Sequence, residues 1–211
     1  MRDFQGERDR MVDRQIASRG IHDPQLLAAL REVPRERFLA DDLAAYAYSD
    51  SALPIEAGQT ISQPYIVALM IAEAGLGPRS RVLEVGAGSG YAAAVMSRIA
   101  EHVFALERLP VLAALAEARM AELGYTNVTV RTGDGTLGWP EEAPFDAILV
   151  AASGRAIPEP LKQQLRIGAR LVIPLGHHDE IQTLVRVTRT GADSYSVGEL
   201  CAVRFVPLVG A

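Results

Sequence analysis

One stretch constrains this chain more than any other: Val82-Leu83-Glu84-Val85-Gly86-Ala87-Gly88-Ser89-Gly90-Tyr91. The first four residues are apolar apart from Glu84 and read as a buried strand. Three glycines in the next five positions make a turn that ordinary side chains resist, and a helical pattern follows over 91–99. A strand, a glycine turn and a helix open a parallel α/β sheet whose ligand crevice lies at the strand's carboxyl end. The downstream pattern agrees. Strands are predicted over 82–85, 103–106, 128–131, 145–150 and 170–173, with helices over 91–99, 109–123 and 159–165 between them. Ala147-Ile148-Leu149-Val150 and Leu171-Val172-Ile173 are continuously apolar, as strands covered on both faces should be.

The ends of the chain differ from this centre. Segments 183–187 and 197–206 are strand-like with no helix between them, so they are expected to pair antiparallel. They complete a mostly parallel seven-stranded sheet. Upstream, Asp23-Pro24 reads as a cap followed by a first-turn proline. The stripe Leu26, Leu27 and Leu30 continues that helix to Val33-Pro34. Residues 46–64 are irregular, and 65–74 read as a further helix. The 211 residues are expected to form one domain, with 1–78 a helical, substrate-side extension and 79–211 the sheet.

Composition excludes several functions. Lys and Arg number 21 against 26 Asp and Glu, a net charge of −5, which argues against a nucleic-acid surface. The one cysteine, Cys201, rules out an intrachain disulfide or a thiolate cluster and suits a reduced compartment. The longest apolar run, 65–72, is far short of the roughly 20 residues of a membrane span. The charged first ten residues are no signal peptide. A soluble, cytoplasmic, monomeric protein is expected.

The glycine loop reads G-x-G-x-G, with Tyr91 where a dinucleotide fingerprint has its third glycine, and it lacks the Lys-Ser/Thr ending of a phosphate loop. Preceded by Glu84, it suits S-adenosylmethionine, which carries an ammonium and a sulfonium but no phosphate. Glu84 would attract the ammonium, while amides of Gly86, Ala87, Gly88, Ser89 and Gly90 would face the ligand's carboxylate. Glu107, 21 positions after Gly86, closes the second strand, where it can accept ribose hydroxyls. Asp134, with Gly135, follows the third strand and can accept an adenine amino group; alone it would read as an ordinary turn aspartate. An NAD-dependent oxidoreductase and a cofactor binder without catalysis remain alternatives at this point. The four histidines, including the loop pair His177-His178, form no metal-ligand pattern. Ser89 is not the centre of a nucleophile elbow. The absence of an evident general base fits methyl transfer to a carboxylate, which is already ionised at neutral pH.

The chain resembles the protein-L-isoaspartate O-methyltransferases along nearly its whole length. The stretches that carry the resemblance are Arg14-Gln15-Ile16, Arg19-Gly20-Ile21, Val33-Pro34-Arg35-Glu36-Arg37-Phe38, Leu53-Pro54-Ile55, Gly58-Gln59-Thr60-Ile61-Ser62-Gln63-Pro64-Tyr65, the loop itself, Gly133-Asp134-Gly135 with Gly138-Trp139-Pro140, Ala143-Pro144-Phe145-Asp146, and Val203-Arg204-Phe205-Val206-Pro207-Leu208. The 58–65 stretch is the most specific. The resemblance implies a Rossmann-like class I methyltransferase fold. It also implies methylation of the free α-carboxylate of L-isoaspartyl residues in damaged proteins, which then close to a succinimide and reopen as aspartate. By motif position Ser62 matches the family's active-site serine, unless it merely caps the helix after it. Gln59, Thr60 and Tyr65 would shape the same pocket. Val203, Arg204 and Phe205 fall where family members offer main chain to an extended peptide. One departure stands out: Ala151-Ala152-Ser153-Gly154 replaces the threonine-alanine-alanine usual after the fourth strand, and it leaves a different carboxylate substrate as an alternative.

Overall fold

The computed structural model describes residues 2–177 and 179–210; His178 of the loop pair lies outside them. Strands β3 (Arg81–Val85), β4 (His102–Glu107), β5 (Val128–Thr132), β6 (Phe145–Val150) and β7 (Leu165–Leu175) run parallel. Strand β8 (Gln182–Arg189) returns antiparallel to β7, and β9 (Tyr195–Val203) antiparallel to β8. The sheet order is β5-β4-β3-β6-β7-β8-β9, so the last two strands lie in chain order at one edge. The order turns around at β3, with β4 on one side and β6 on the other. That reversal opens the crevice at the carboxyl end of β3, where the glycine loop begins.

Alternate residues of the central strands serve two cores. Val82, Val103, Ala105, Ala147, Leu149 and Val172 face a cluster built with helices α1 (Phe4–Met11), α2 (Pro24–Glu32), α3 (Pro64–Ala74), α4 (Tyr91–Ser97) and Met120 of α5 (Pro110–Leu123). Leu83, Val85, Phe104, Leu106, Ile148 and Leu171 face a second cluster under Trp139 and Leu161 of α6 (Glu159–Gln163). The period of two in β3 puts Glu84 on the first face, level with Ala105 and Leu149 in the flanking strands.

Local chemistry sets the helices that carry the site. The Asp23 carboxylate accepts from the amides of Gln25 and Leu26, and Pro24 takes the first helical position of α2. Proline again opens α3, which ends at Gly75 in the left-handed region. Between α2 and α3, strands β1 (Leu53–Pro54) and β2 (Thr60–Ile61) form a short antiparallel ribbon whose turn passes through Ala57 at φ 55°.

Several expected boundaries move. Strand β7 starts at Leu165 because 166–168 bulge outward, exposed, through Gly168 at φ 89°, which hides any strand periodicity. Its early start also shortens α6 to five residues, and α4 ends at Ser97 rather than 99. Strand β9 ends at Val203, not 206. The side chain of Gln182 replaces a neighbouring strand there: Phe205 N–H donates to Oε1 (2.7 Å), and Nε2 donates to the Phe205 carbonyl (3.3 Å).

Candidate active site

The glycine loop folds back onto the strand beside it. The amides of Gly86 and Ala87 both donate to the Leu106 carbonyl (2.8 and 3.1 Å), and the Gly88 amide donates to Glu107 Oε2 (2.8 Å). Gly90 donates to the Ala87 carbonyl, and the Tyr91 amide to Ser89 Oγ. This corrects the expectation that the amides of Gly86, Ala87, Gly88 and Gly90 face a ligand's carboxylate. The turn needs those donors to hold itself shut against β4. Gly90 is further constrained, because a Cβ there would lie 2.8 Å from Met120 Cε of α5.

The acids around the loop have distinct surroundings. Glu107 is buried, and its other oxygen accepts from the Leu109 amide at the start of α5 (2.9 Å), so one carboxylate clamps loop and helix together. Glu84 is also buried, and its Oε2 has no hydrogen-bond partner in the chain. Burial, reinforced by the charge of Glu107, pushes its carboxyl well above the usual range. Asp134 turns its Oδ1 toward its own turn, accepting from the Thr136 amide (2.8 Å) and hydroxyl (2.7 Å). The local turn chemistry is therefore present, and it is Gly135 that lines the cleft.

That cleft, about 180 Å³, lies between Gly86, Gly88, Glu107 and Gly135 on one side and Gln59, Thr60 and Val206–Val209 on the other. A second cavity of about 440 Å³ is lined by Ser62, Gln63, Ile66, Ile181, Val203, Arg204 and Phe205. Thr60, Ala151 and Val206 belong to both and form the partition between them. A small hollow of about 40 Å³ joins Ser62 to Ala87, Gly88 and Ser89 behind the partition. The departing segment 151–154 thus contributes directly to the wall. Ala151 stands in it, and Ser153 fixes Val206 and Leu208 through its amide and carbonyl, both at 2.8 Å.

Ser62 does not cap α3. The cap position is Gln63, which makes no side-chain capping bond, so the hydroxyl of Ser62 is not spent there. The carbonyl of Ser62 accepts from Arg35 Nη2 (2.8 Å). The pocket expected around Ser62 divides: Thr60 serves both cavities, Gln59 turns to the cleft beside the loop, and Tyr65 lines neither cavity. Its ring lies 3.3 Å from the Arg19 guanidinium carbon. Two arginines that sequence reading missed hold the site together. Arg35 is fully buried, and Arg119 donates to the Ser89 carbonyl (3.3 Å) and to Glu56 Oε1 (3.1 Å) in the β1–β2 turn. Neither sits in a local pattern that announces it.

Two buried acids beside one glycine loop, one with an orphaned oxygen, call for a ligand that brings a cation and hydroxyls. S-adenosylmethionine fits that demand through its ammonium and ribose, whereas a nucleoside phosphate would add negative charge. A sheet of this order with that loop at its switch point is the fold of a class I S-adenosylmethionine-dependent methyltransferase. Among the described residues no group of three or more His, Cys, Asp or Glu is placed to hold a metal ion, and no helix is long and apolar enough to cross a membrane.

Comparison with known proteins narrows the class. The sequence profile of protein-L-isoaspartate(D-aspartate) O-methyltransferases matches residues 6–211. A protein-L-isoaspartate O-methyltransferase 2 from Pelobacter propionicus is 55% identical over 100% of this chain and 94% of its own length. A protein-L-isoaspartate O-methyltransferase from Rhodopseudomonas palustris is 56% identical over 95% of this chain and 92% of its own. A solved protein-L-isoaspartate O-methyltransferase superposes with a TM-score of 0.88 at 30% identity, over 96% of this chain and 66% of that one. A structure assigned the same activity, from Plasmodium falciparum and in complex with S-adenosyl-L-homocysteine, gives 0.82 at 26% identity, over 96% and 98%. The chain belongs to the protein-L-isoaspartate(D-aspartate) O-methyltransferase family, which sets aside the oxidoreductase alternative.

Proposed function

We propose that this chain transfers a methyl group from S-adenosylmethionine to the free α-carboxylate of L-isoaspartyl residues, starting their repair through a succinimide. The observation that carries the reading is the shared partition of Thr60, Ala151 and Val206, with the glycine-loop cleft and Glu107 on one side and Ser62 on the other. When bound, the cofactor supplies a methyl already activated on a sulfonium. The protein then has positioning and desolvation to provide, because a carboxylate with a pKa of about 4 needs no general base.

Each residue takes a defined part. Glu84 answers the ammonium and Glu107 the ribose, while the main chain of Gly86, Gly88 and Gly135 shapes the cleft. Asp134 and Ser89 hold the flanking turns, and Asp134 answers the adenine amino group. Ser62 offers its hydroxyl to the attacking carboxylate and sets its angle at the partition. The substrate backbone lies along the outer edge of β9 toward Val203 and Arg204. Phe205 gives packing rather than main-chain bonds, because Gln182 already takes its N–H and carbonyl. Edge pairing of this kind accepts varied sequences, as a repair enzyme requires. Residues 1–78 and 79–211 act as one methyltransferase domain, and the chain works as a monomer in the cytoplasm.

The deciding experiment is methyl transfer to an isoaspartyl peptide beside its aspartyl twin. Labelling of the isoaspartyl peptide alone is expected. Equal labelling of both points to a different carboxylate, and labelling of neither refutes the reading. Ser62→Ala should lower kcat much more than it weakens S-adenosylhomocysteine binding.

A further inference from the structure

The side chain of Arg35 has no exposed surface, yet none of the ion pairs among the described residues includes it. Nε donates to the Ala47 carbonyl (2.7 Å) and Nη2 to the Ser62 carbonyl (2.8 Å). Nη1 has no hydrogen-bond partner, and the guanidinium lies 4.8 Å from the centre of the Tyr91 ring. Tyr91 is the first residue of α4, directly after the glycine loop. Burial pulls this arginine down to about 10. A buried cation without a carboxylate is costly, and main-chain carbonyls and an aromatic face compensate it only in part. A planar group is what this place demands: two donors diverge in one plane to carbonyls on separate segments while the face stacks on a ring.

We propose that Arg35 is a positioning residue for methyl transfer, fixing the main chain of Ser62 against the helix that leaves the glycine loop. The proposal rests on the reading of Ser62 given above. Ser62 has no regular strand or helix of its own to orient it, since it stands between β2 and the cap of α3. Its carbonyl bond to Arg35 sets the plane of the following peptide, and through it the direction of its side chain. Stacking on Tyr91 refers that direction to the cofactor side. Arg35 touches neither cavity, so it acts only through Ser62.

The test is a double-mutant cycle with the isoaspartyl peptide, using Arg35→Lys, Ser62→Ala and their combination. Arg35→Lys keeps the charge and loses the fork. It should lower kcat by about tenfold to a hundredfold, the scale of a small misplacement, and leave the Kd for S-adenosylhomocysteine within about threefold. The combined variant should be no slower than Ser62→Ala. Additive losses, an unchanged kcat, or a kcat loss matched by equal loss of S-adenosylhomocysteine affinity overturns the proposal. Ser62→Ala with full activity overturns the reading of Ser62 itself and is distinguishable from those results. If Arg35→Lys binds no S-adenosylhomocysteine, Arg35→Gln, which keeps a planar amide, enters the same cycle. Failure of both to bind assigns Arg35 to folding alone and refutes the positioning role.

Discussion

A single methyl group added at Gly135 should damage both the fold and the cofactor cleft. A Cβ there would lie 2.2 Å from Val85 Cγ1, about 1.5 Å inside ordinary carbon–carbon contact. Val85 cannot easily give way. It is 1% exposed and locked in register with Leu106 on one side and Val150 on the other. The turn that carries Gly135 must move instead. Overpacking of this kind costs about 1–3 kcal/mol, which at this chain length lowers Tm by about 2–12 °C. Both residues line the cleft, so S-adenosylhomocysteine should bind more weakly too. Val85→Ala alone removes two buried methyl groups, at a cost of about 2 kcal/mol. In Gly135→Ala/Val85→Ala the new methyl enters the vacated space, and the pair should be more stable than the sum of the singles by about 1–2 kcal/mol. Urea unfolding measures the stabilities and calorimetry the affinity. Additivity within about 0.5 kcal/mol, or a Gly135→Ala protein as stable as the parent, would refute the packing argument.

The raised carboxyl of Glu84 makes a prediction about pH. The folded chain without cofactor keeps a proton that the unfolded chain releases near pH 4.3, so stability should fall as pH rises from there through the folded pKa. Glu84→Gln should flatten that slope in urea melts taken across the range, and an unaltered slope would count against the assignment. Glu107→Gln leaves either Gly88 or Leu109 without its acceptor; a loss of about 1–3 kcal/mol and weaker S-adenosylhomocysteine binding are expected, and calorimetry showing the parent affinity would contradict the clamp. Arg119→Met cuts the tie between the Ser89 carbonyl and Glu56, so limited proteolysis of the 55–60 turn should accelerate; equal cleavage rates would show that the turn does not depend on it.

The central parallel strands were legible because burial on both faces leaves an apolar run, as in 147–150 of β6, a strand whose bounds match the expectation. Legibility failed where tertiary contacts replaced local pattern. Residues 166–168 of β7 are exposed because they bulge, and 204–206 look like strand because Phe205 and Val206 continue the apolar alternation, although Gln182 rather than a strand pairs with Phe205. The glycine loop pointed to a crevice at the end of β3, and a cleft lies there, but the loop amides that bond back to Leu106 and Glu107 were not legible. Ser62 was visible only through the resemblance. Arg35 stood within one of the matching stretches, yet nothing local marks it, since its partners are Ala47, Ser62 and Tyr91.

The partition of Thr60, Ala151 and Val206 also acts as a gauge. Whatever crosses from the glycine-loop cleft to the peptide must pass between a threonine, a single alanine methyl and one valine, two of them held by β6 and by the Ser153–Val206 bond. A methyl group asks for little room between those side chains, and an allyl or propargyl group asks for more. The same three positions are therefore where trimming side chains would widen the range of alkyl donors, turning a repair enzyme into a tool for marking aged proteins.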